Sequence, residues 1–597
     1  MIDKSSLTPC STTEELINAL IEAGDLVGHP GHYRLITTLD RLVVPTNVRA
    51  VLAARIDRLP EAAKRLLQSA AVIGKEFSGP LLEAVTDLPS SEQASALERL
   101  KTGDFIFERA LYPVFEYAFK HPLTHEVAYQ SQLQSRRAVV HAAVARALEA
   151  QAGDKINEQA ALLAHHCEAA GETLNAARWH KRAAEWAGMN DLNAAFHHWL
   201  CVRTLARQGG DEADASAHVV LACSQVLALA WRIGFSAIAS DEIFEEGCAT
   251  AERTGNLTAL ATLNAVYGAE RGLNQAFAPD YERYTTVAVG IADQTGNPAL
   301  RCGTRVYLAY AHAYCGHLSD VERIADEIIE LAAEDPHLGA KVAGISPLIS
   351  VLAIRLYVIG WLRDPAHALR ELPFVREAAA RAGYPEQALW TSAFEMELRY
   401  ALGNTEGVYE LAQLATRLAE NLGATNELCA ATSRSEALAC AENWGSVSDL
   451  ATDTLQRVRA HGAGRLWEPK VLALIGTAEL KRGNSATSRV AAQEGVAFMR
   501  ESQSAWNPHC YAVLAHAQLA LTEPAADIAA TLDEYEALLT RTGHHLYEGE
   551  LHELRAKLAA REGHPAERTA ALARAHACYT RFGMLTQAAR IAGLQQA

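Results

Sequence analysis

Histidines come nearest, in type and spacing, to a chemical site in this chain. His121 and His125 stand four apart, and on a helix they would share one face, as a zinc ion asks of two imidazole ligands. No third ligand follows at a metal-binding interval, and Glu126 does not complete H-E-x-x-H, so capping and packing account for the pair better. His165, His166 and Cys167 form a second cluster, but consecutive helix residues point in different directions, so at most two could meet one ion. His544 and His545 follow Gly543 and read as a loop. No metal site, no cofactor and no catalytic set is therefore expected. G-x-S-x-G does not occur, and the serines and cysteines lie in Ala-rich helical contexts where they cap or pack. The one Gly-Lys dipeptide, Gly74-Lys75, is followed by Glu76. It also lacks the glycine five positions earlier that a phosphate-cradling P-loop needs.

The elements that must position these residues read as helices almost throughout. Of 597 residues, 49% are hydrophobic, 21% charged and only 19 are proline, a composition that folds. Its Ala-Leu-Arg-Glu texture favours helices in close contact. Residues 13–23 suggest a short helix, ended by Gly24, and Gly28-His29-Pro30-Gly31 allows a small hairpin. Thr46 or Asn47 can cap a helix with Val48, Val51, Leu52, Ile56 and Leu59 on one face. Pro60 starts a second helix that ends at Gly74, residues 80–85 make a third, and Ser90 or Ser91 opens a fourth with Ala94, Leu97 and Leu100 inward. Residues 105–108 and 115–119 are β-rich around Tyr112-Pro113, which predicts a hairpin. Helices followed by a β wing and another helix make a winged-helix domain.

From about Arg137 the pattern is helical to the end. Glycines recur at turn positions 171, 316, 403, 483 and 563, with small residues such as Ala164, Ala176, Ala183, Ala309 and Ala556 at matching offsets. Antiparallel helices nest only where side chains are small, and the turn between them needs a residue tolerant of positive φ. The expected fold is all-α: a TPR-like α-solenoid preceded by a small winged-helix domain with one β-hairpin. Such arrays expose a long concave surface. Trp179, Trp186, Trp199 and Trp231 sit at helical positions and are expected in the core.

Charge narrows the partners. The net charge is −17, yet residues 43–150 carry 13 Lys+Arg against 12 Asp+Glu, so the acidity lies outside that segment. An acidic array repels phosphates and anionic membranes, so a protein or peptide partner is expected, with no nucleic acid and no membrane. The helix 91–102 carries Glu92, Glu98, Arg99 and Lys101, a mixed face poorly suited to DNA. The apolar stretch 343–362 is interrupted by Arg355 and Pro347 and reads as a buried helix. Eleven cysteines without a C-x-x-C pair suit reduced thiols in the cytoplasm. The first residues lack the apolar core of a secretory signal.

The segments VRAVLAARIDRLPEAAKRLLQSAAVIGKEF and FKHPLTHEVAY, with YEGELHELRAKLAAREGHPAERTAALARAHA near the end, resemble the C-terminal half of bacterial STAND-type signalling ATPases. The similarity is to those that join a class III adenylate/guanylate cyclase, a P-loop ATPase, a winged helix and TPR repeats. It implies a remnant of the ATPase lid or linker at 1–43, a winged-helix domain at 44–136 and a TPR-like array at 137–597. The P-loop and cyclase motifs are not found in these residues, so neither activity carries over. The resemblance also implies that His121, in Phe119-Lys120-His121 at the start of the last winged-domain helix, contacts a nucleotide phosphate, here only with a P-loop ATPase module in trans. The expected function is a non-enzymatic, cytoplasmic protein-interaction and signal-transduction scaffold using a TPR-like concave surface. Two alternatives are the truncated or split regulatory half of an ATP-binding, cyclase-linked STAND protein and a winged-helix transcription regulator.

Overall fold

The computed structural model describes residues 26–29, 32–35, 48–110, 115–188, 190–210, 212–234 and 237–596; the helix expected at 13–23 lies outside them. Contacts divide the chain into two compact units, Met1–Trp186 and Ala187–Ala597.

In the first unit, β1 (Leu26–His29) pairs antiparallel with β2 (His32–Leu35), the small hairpin that the glycines and proline allow. Then come α1 (Val48–Asp57), α2 (Glu61–Ile73), β3 (Glu76–Ser78), α3 (Gly79–Val85), α4 (Ser90–Thr102), β4 (Ile106–Ala110), β5 (Glu116–Phe119) and α5 (Pro122–Gln130). The unit continues through α6 (Gln134–Ala152), α7 (Ala160–Ala170) and α8 (Thr173–Ala187). Helix α2 shows how sequence makes structure here: Pro60 precedes it, and Ala63, Leu66, Leu67, Ala70 and Ala71 form its buried stripe. Each such leucine contributes about 1.5–3 kcal/mol when taken out of water.

The expected hairpin is β4–β5, but the sheet has a third strand, at 76–78, to which the sequence reading assigns no element. β3 pairs with the free edge of β5, giving the order β3-β5-β4. Phe77 on β3 explains it, because its ring packs on Tyr117 and Phe119 and draws a three-residue strand to the core. Helix α4 buries Gln93, Ala96 and Leu100, whereas Ala94, expected inward, is exposed. Buried Arg55 ties α1 to the turn before β4 by donating to Gly103 O at 2.7 Å, with its guanidinium over Phe105.

The second unit is a helical-repeat array. It runs through α9 (Leu192–Ala206), α10 (Ala213–Ile233), α11 (Ala237–Arg253), α12 (Leu257–Leu273), α13 (Ala278–Thr295), α14 (Pro298–Cys315) and α15 (Leu318–Leu331). After a single turn, α16 (Ala340–Ala343), follow α17 (Pro347–Leu362), α18 (Pro365–Arg381), α19 (Pro385–Leu402), α20 (Val408–Ala419), α21 (Ala424–Cys440) and α22 (Trp444–His461). The last are α23 (Glu468–Lys481), α24 (Ser485–Ser502), α25 (His509–Ala520), α26 (Ala525–Thr542), α27 (Glu548–Glu562), α28 (Pro565–Arg581) and α29 (Leu585–Gln596). Neighbours in sequence pack as antiparallel pairs, and α10, α12, α14, α17, α19, α21, α23, α25 and α27 also pack on one another as an inner row. Inner helices such as α14 and α19 are buried on nearly every side, while outer helices such as α15 bury one stripe only.

The five turn glycines of both units have positive φ, and Ala164, Ala176, Ala183, Ala309 and Ala556 are buried as the nesting argument requires. Trp179, Trp199 and Trp231 are buried, but Trp186 is 54% exposed, since it falls on the solvent side of α8. Among the described residues α10 is long and apolar enough to cross a membrane, and most of it is buried in the array. The apolar stretch at α17 is a core helix whose Arg355 pairs with Asp326 at 3.0 Å.

The inner row does not line an open concave face throughout, as sequence reading expected. The C-terminal ends of α10, α12 and α14 meet the turns that lead into α21, α23 and α25. Thr425 donates to Trp231 O across 194 residues, Gly464 N donates to Asn274 Oδ1 across 190, and Ala505 N donates to Tyr314 O. Trp361 at the end of α17 likewise packs on His544 and Tyr547 before α27.

Candidate functional site

His121 occupies the N-cap position of α5, half-buried, with extended backbone and no side-chain cap, and its carbonyl accepts from Thr124 N at 3.0 Å. Four residues on, His125 is committed to packing: its Nε2 lies 2.9 Å from Ala71 O and its ring meets Phe119 edge-on. Burial, first of all, lowers the pKa of His125.

The His165 to Cys167 cluster separates as helix geometry requires, with His165 exposed and the other two buried. Sequence reading missed their real partner. His141 from α6 sits 2.9 Å from His166, Nδ1 to Nδ1, and its Nε2 is 3.1 Å from Tyr129 Oη. Burial pushes His141 down to about 4 and His166 to about 3, so this Tyr-His-His chain is neutral and structural near pH 7. An i, i+25 spacing between two helices leaves no signal in sequence. His544 is buried beside Thr542, and His545 pairs with Glu548 in a short 3₁₀ turn.

The cations of α4 and the β4–β5 hairpin are mostly spoken for. Lys101 is held by Glu98 and Glu108, and Arg109 by Glu76. A DNA phosphate would have to displace those carboxylates.

The interior of the array holds aromatic rings and buried charges. Trp231, Tyr307, Tyr310, Tyr314 and Trp390 surround a space of only about 50 Å3, room for water but not for a metabolite. Arg232 grips Glu386 with two bonds of 2.9 and 2.7 Å, and Lys470 reaches Glu397 at 2.6 Å and Glu436 at 2.9 Å. Each charge faces an opposite partner, which pins the inner helices in one register.

A different feature is open. Helices α20 and α21 wall a largely apolar groove of about 700 Å3 formed by Val408, Tyr409, Ala412, Ala437, Leu438 and Cys440. Tyr409 is 66% exposed at its edge. The only charged residues lining it are Arg417 and Arg434, both exposed, and neither makes an ion pair or hydrogen bond among the described residues. An amphipathic stripe on α20 explains the groove: Leu411, Ala412 and Ala415 turn inward and leave Tyr409 and Arg417 on the rim.

No protein-family model and no curated protein sequence matches this chain. Among solved structures it is similar to a STAND protein with a tetratricopeptide repeat sensor from Pyrococcus horikoshii. That match has 12% identity over 93% of this chain and 72% of the other, with a TM-score of 0.36. It is also similar to the Cut9–Hcn1 hetero-tetramer of the APC/C, at 12% identity over 78% of this chain and 94% of that one, with a TM-score of 0.29. Both overlaps are loose, so the chain's own side chains must carry any functional conclusion.

Proposed function

We propose that this protein is a non-catalytic scaffold for protein interaction and signal transduction, whose repeat array docks an acidic amphipathic peptide segment of a partner in the α20/α21 groove. The observation that carries this reading is the pairing of an apolar floor with two uncommitted guanidiniums, Arg417 and Arg434. An amphipathic segment buries its apolar face in such a groove, and carboxylates on its rim complete the two arginines. Positive rim charge on a chain of net charge −17 also selects against basic partners.

In the first unit, the helices α1 to α5 and the β3-β5-β4 sheet support reading 44–136 as a winged helix. On that reading His121, at the N-cap of α5, would meet a nucleotide phosphate only when a P-loop module is supplied in trans.

The test uses two fluorescein-labelled model helices with a leucine face, one carrying glutamates opposite it and one carrying lysines. Anisotropy titrations should show the acidic helix preferred. R417E/R434E should weaken it by about tenfold or more and favour the lysine helix instead, since each swapped pair changes attraction to repulsion. Equal binding of both helices, or no effect of the double charge reversal, would refute the docking site.

A further inference from the structure

We propose that Glu282, His312 and His317 form a binding site for a divalent transition-metal ion, zinc by preference. Glu282 lies in α13, His312 in the last turn of α14, and His317 directly follows Gly316, the left-handed cap of α14. Glu282 Oε1 stands 2.7 Å from His312 Nδ1 and 2.6 Å from His317 Nδ1. The three donor atoms lie within 4.8 Å of one another.

Two imidazole nitrogens and a carboxylate oxygen are the donors that borderline first-row ions choose, and three protein ligands leave a position for water. Zinc bonds of about 2.0–2.1 Å set tetrahedral ligand atoms roughly 3.3 Å apart, so each carboxylate–imidazole gap need widen by less than about 1 Å while the two imidazole nitrogens settle to the same spacing. The ion then takes the place of the Nδ1 protons, which move to Nε2 or to solvent.

Access is one-sided. The His312 side chain is 11% exposed and that of His317 is 49% exposed, and Glu282 and His317 line a cleft of about 620 Å3 together with Arg500 and Arg541. An ion would be backed by protein and open to water or to a further ligand. Tyr314 O, two residues past His312, accepts from Ala505 N, so the ion would stiffen the joint between α14 and the turn leading into α25. Sequence reading found no metal set because Glu282 precedes His312 by most of a helical hairpin. Only the H-A-Y-C-G-H run at 312–317 hinted at it.

The full chain, stripped with chelator and dialysed, is titrated with Zn²⁺ by calorimetry and with Co²⁺ by visible absorption. One tight equivalent per chain is expected, with the ligand-field bands of a low-coordinate cobalt ion. H317A, on the exposed side, should weaken it by about tenfold or more, a lower bound set by the loss of mere outer-shell partners. E282Q, which keeps the shape and one acceptor, should do the same. H197A, in α9 beside Cys201, should leave it unchanged. A titration in which H317A and E282Q bind as the unaltered chain does, or in which no ion binds stoichiometrically, overturns the site.

Discussion

Asn274 and Gly464, 190 residues apart, are joined by one buried amide: Asn274 Oδ1 accepts the Gly464 N–H at 2.9 Å while its Nδ2 donates to Ala230 O at 3.0 Å. A single side chain thus links the end of α10, the end of α12 and the turn before α23. A buried amide that satisfies both its donor and its acceptor this way specifies one arrangement and penalises others.

Asn274→Ala should therefore cost more than an average surface change. It orphans the buried Gly464 N–H and takes the second of two donors from Ala230 O, which keeps its bond from Gly234 N, for a loss on the order of 1–3 kcal/mol. Arrays of repeats do not melt as one unit, so the local readout is hydrogen exchange at the Gly464 amide. Exchange there should accelerate at least tenfold, and an unchanged rate would mean that water already satisfies the junction.

Glu270 offers a pH test. It is fully buried in α12, and burial pushes its pKa up to about 7 despite a bond from Gln275 at 3.0 Å. The native state therefore holds this proton where the unfolded chain, near 4.5, has released it. Stability from this group is fully present below about pH 4.5 and is lost as pH rises to 7. Glu270→Gln removes that slope. Thermal melts should place the variant with the unaltered chain near pH 4.5 and above it at pH 8, by on the order of 3 kcal/mol.

Gly423 and Gly483 separate two costs of the left-handed backbone. Both have positive φ, but a Cβ at Gly483 meets nothing within 4 Å, whereas at Gly423 it would stand 2.7 Å from Arg232 O. Gly483→Ala should cost about 1–2 kcal/mol from the backbone alone. Gly423→Ala should cost at least twice as much, because main chain at the α10/α21 junction must move. Urea titrations of the two variants compare them directly, and equal midpoints would show that the junction yields without cost.

Much of the architecture was legible in the residues themselves. The stripe Ala63, Leu66, Leu67, Ala70 and Ala71 marks one helix face, and Gly171, Gly316, Gly403, Gly483 and Gly563 mark the turns. Such features follow from local rules, 3.6 residues per turn and the φ that each side chain tolerates. The strand at Glu76–Ser78 was not legible, because three residues carry no period and only Phe77's fit against Tyr117 and Phe119 makes it a strand.

By itself, then, the order of residues determined an all-helical array, its turn positions and a β-hairpin among the helices ahead of it. Tertiary structure alone decided that Asn274 would reach Gly464, that Arg417 and Arg434 would border one groove, and that Glu282 would meet His312 and His317. The reason is geometric. Small rotations from one repeat to the next accumulate over about 190 residues before two turns of the array touch, and no local spacing records that sum.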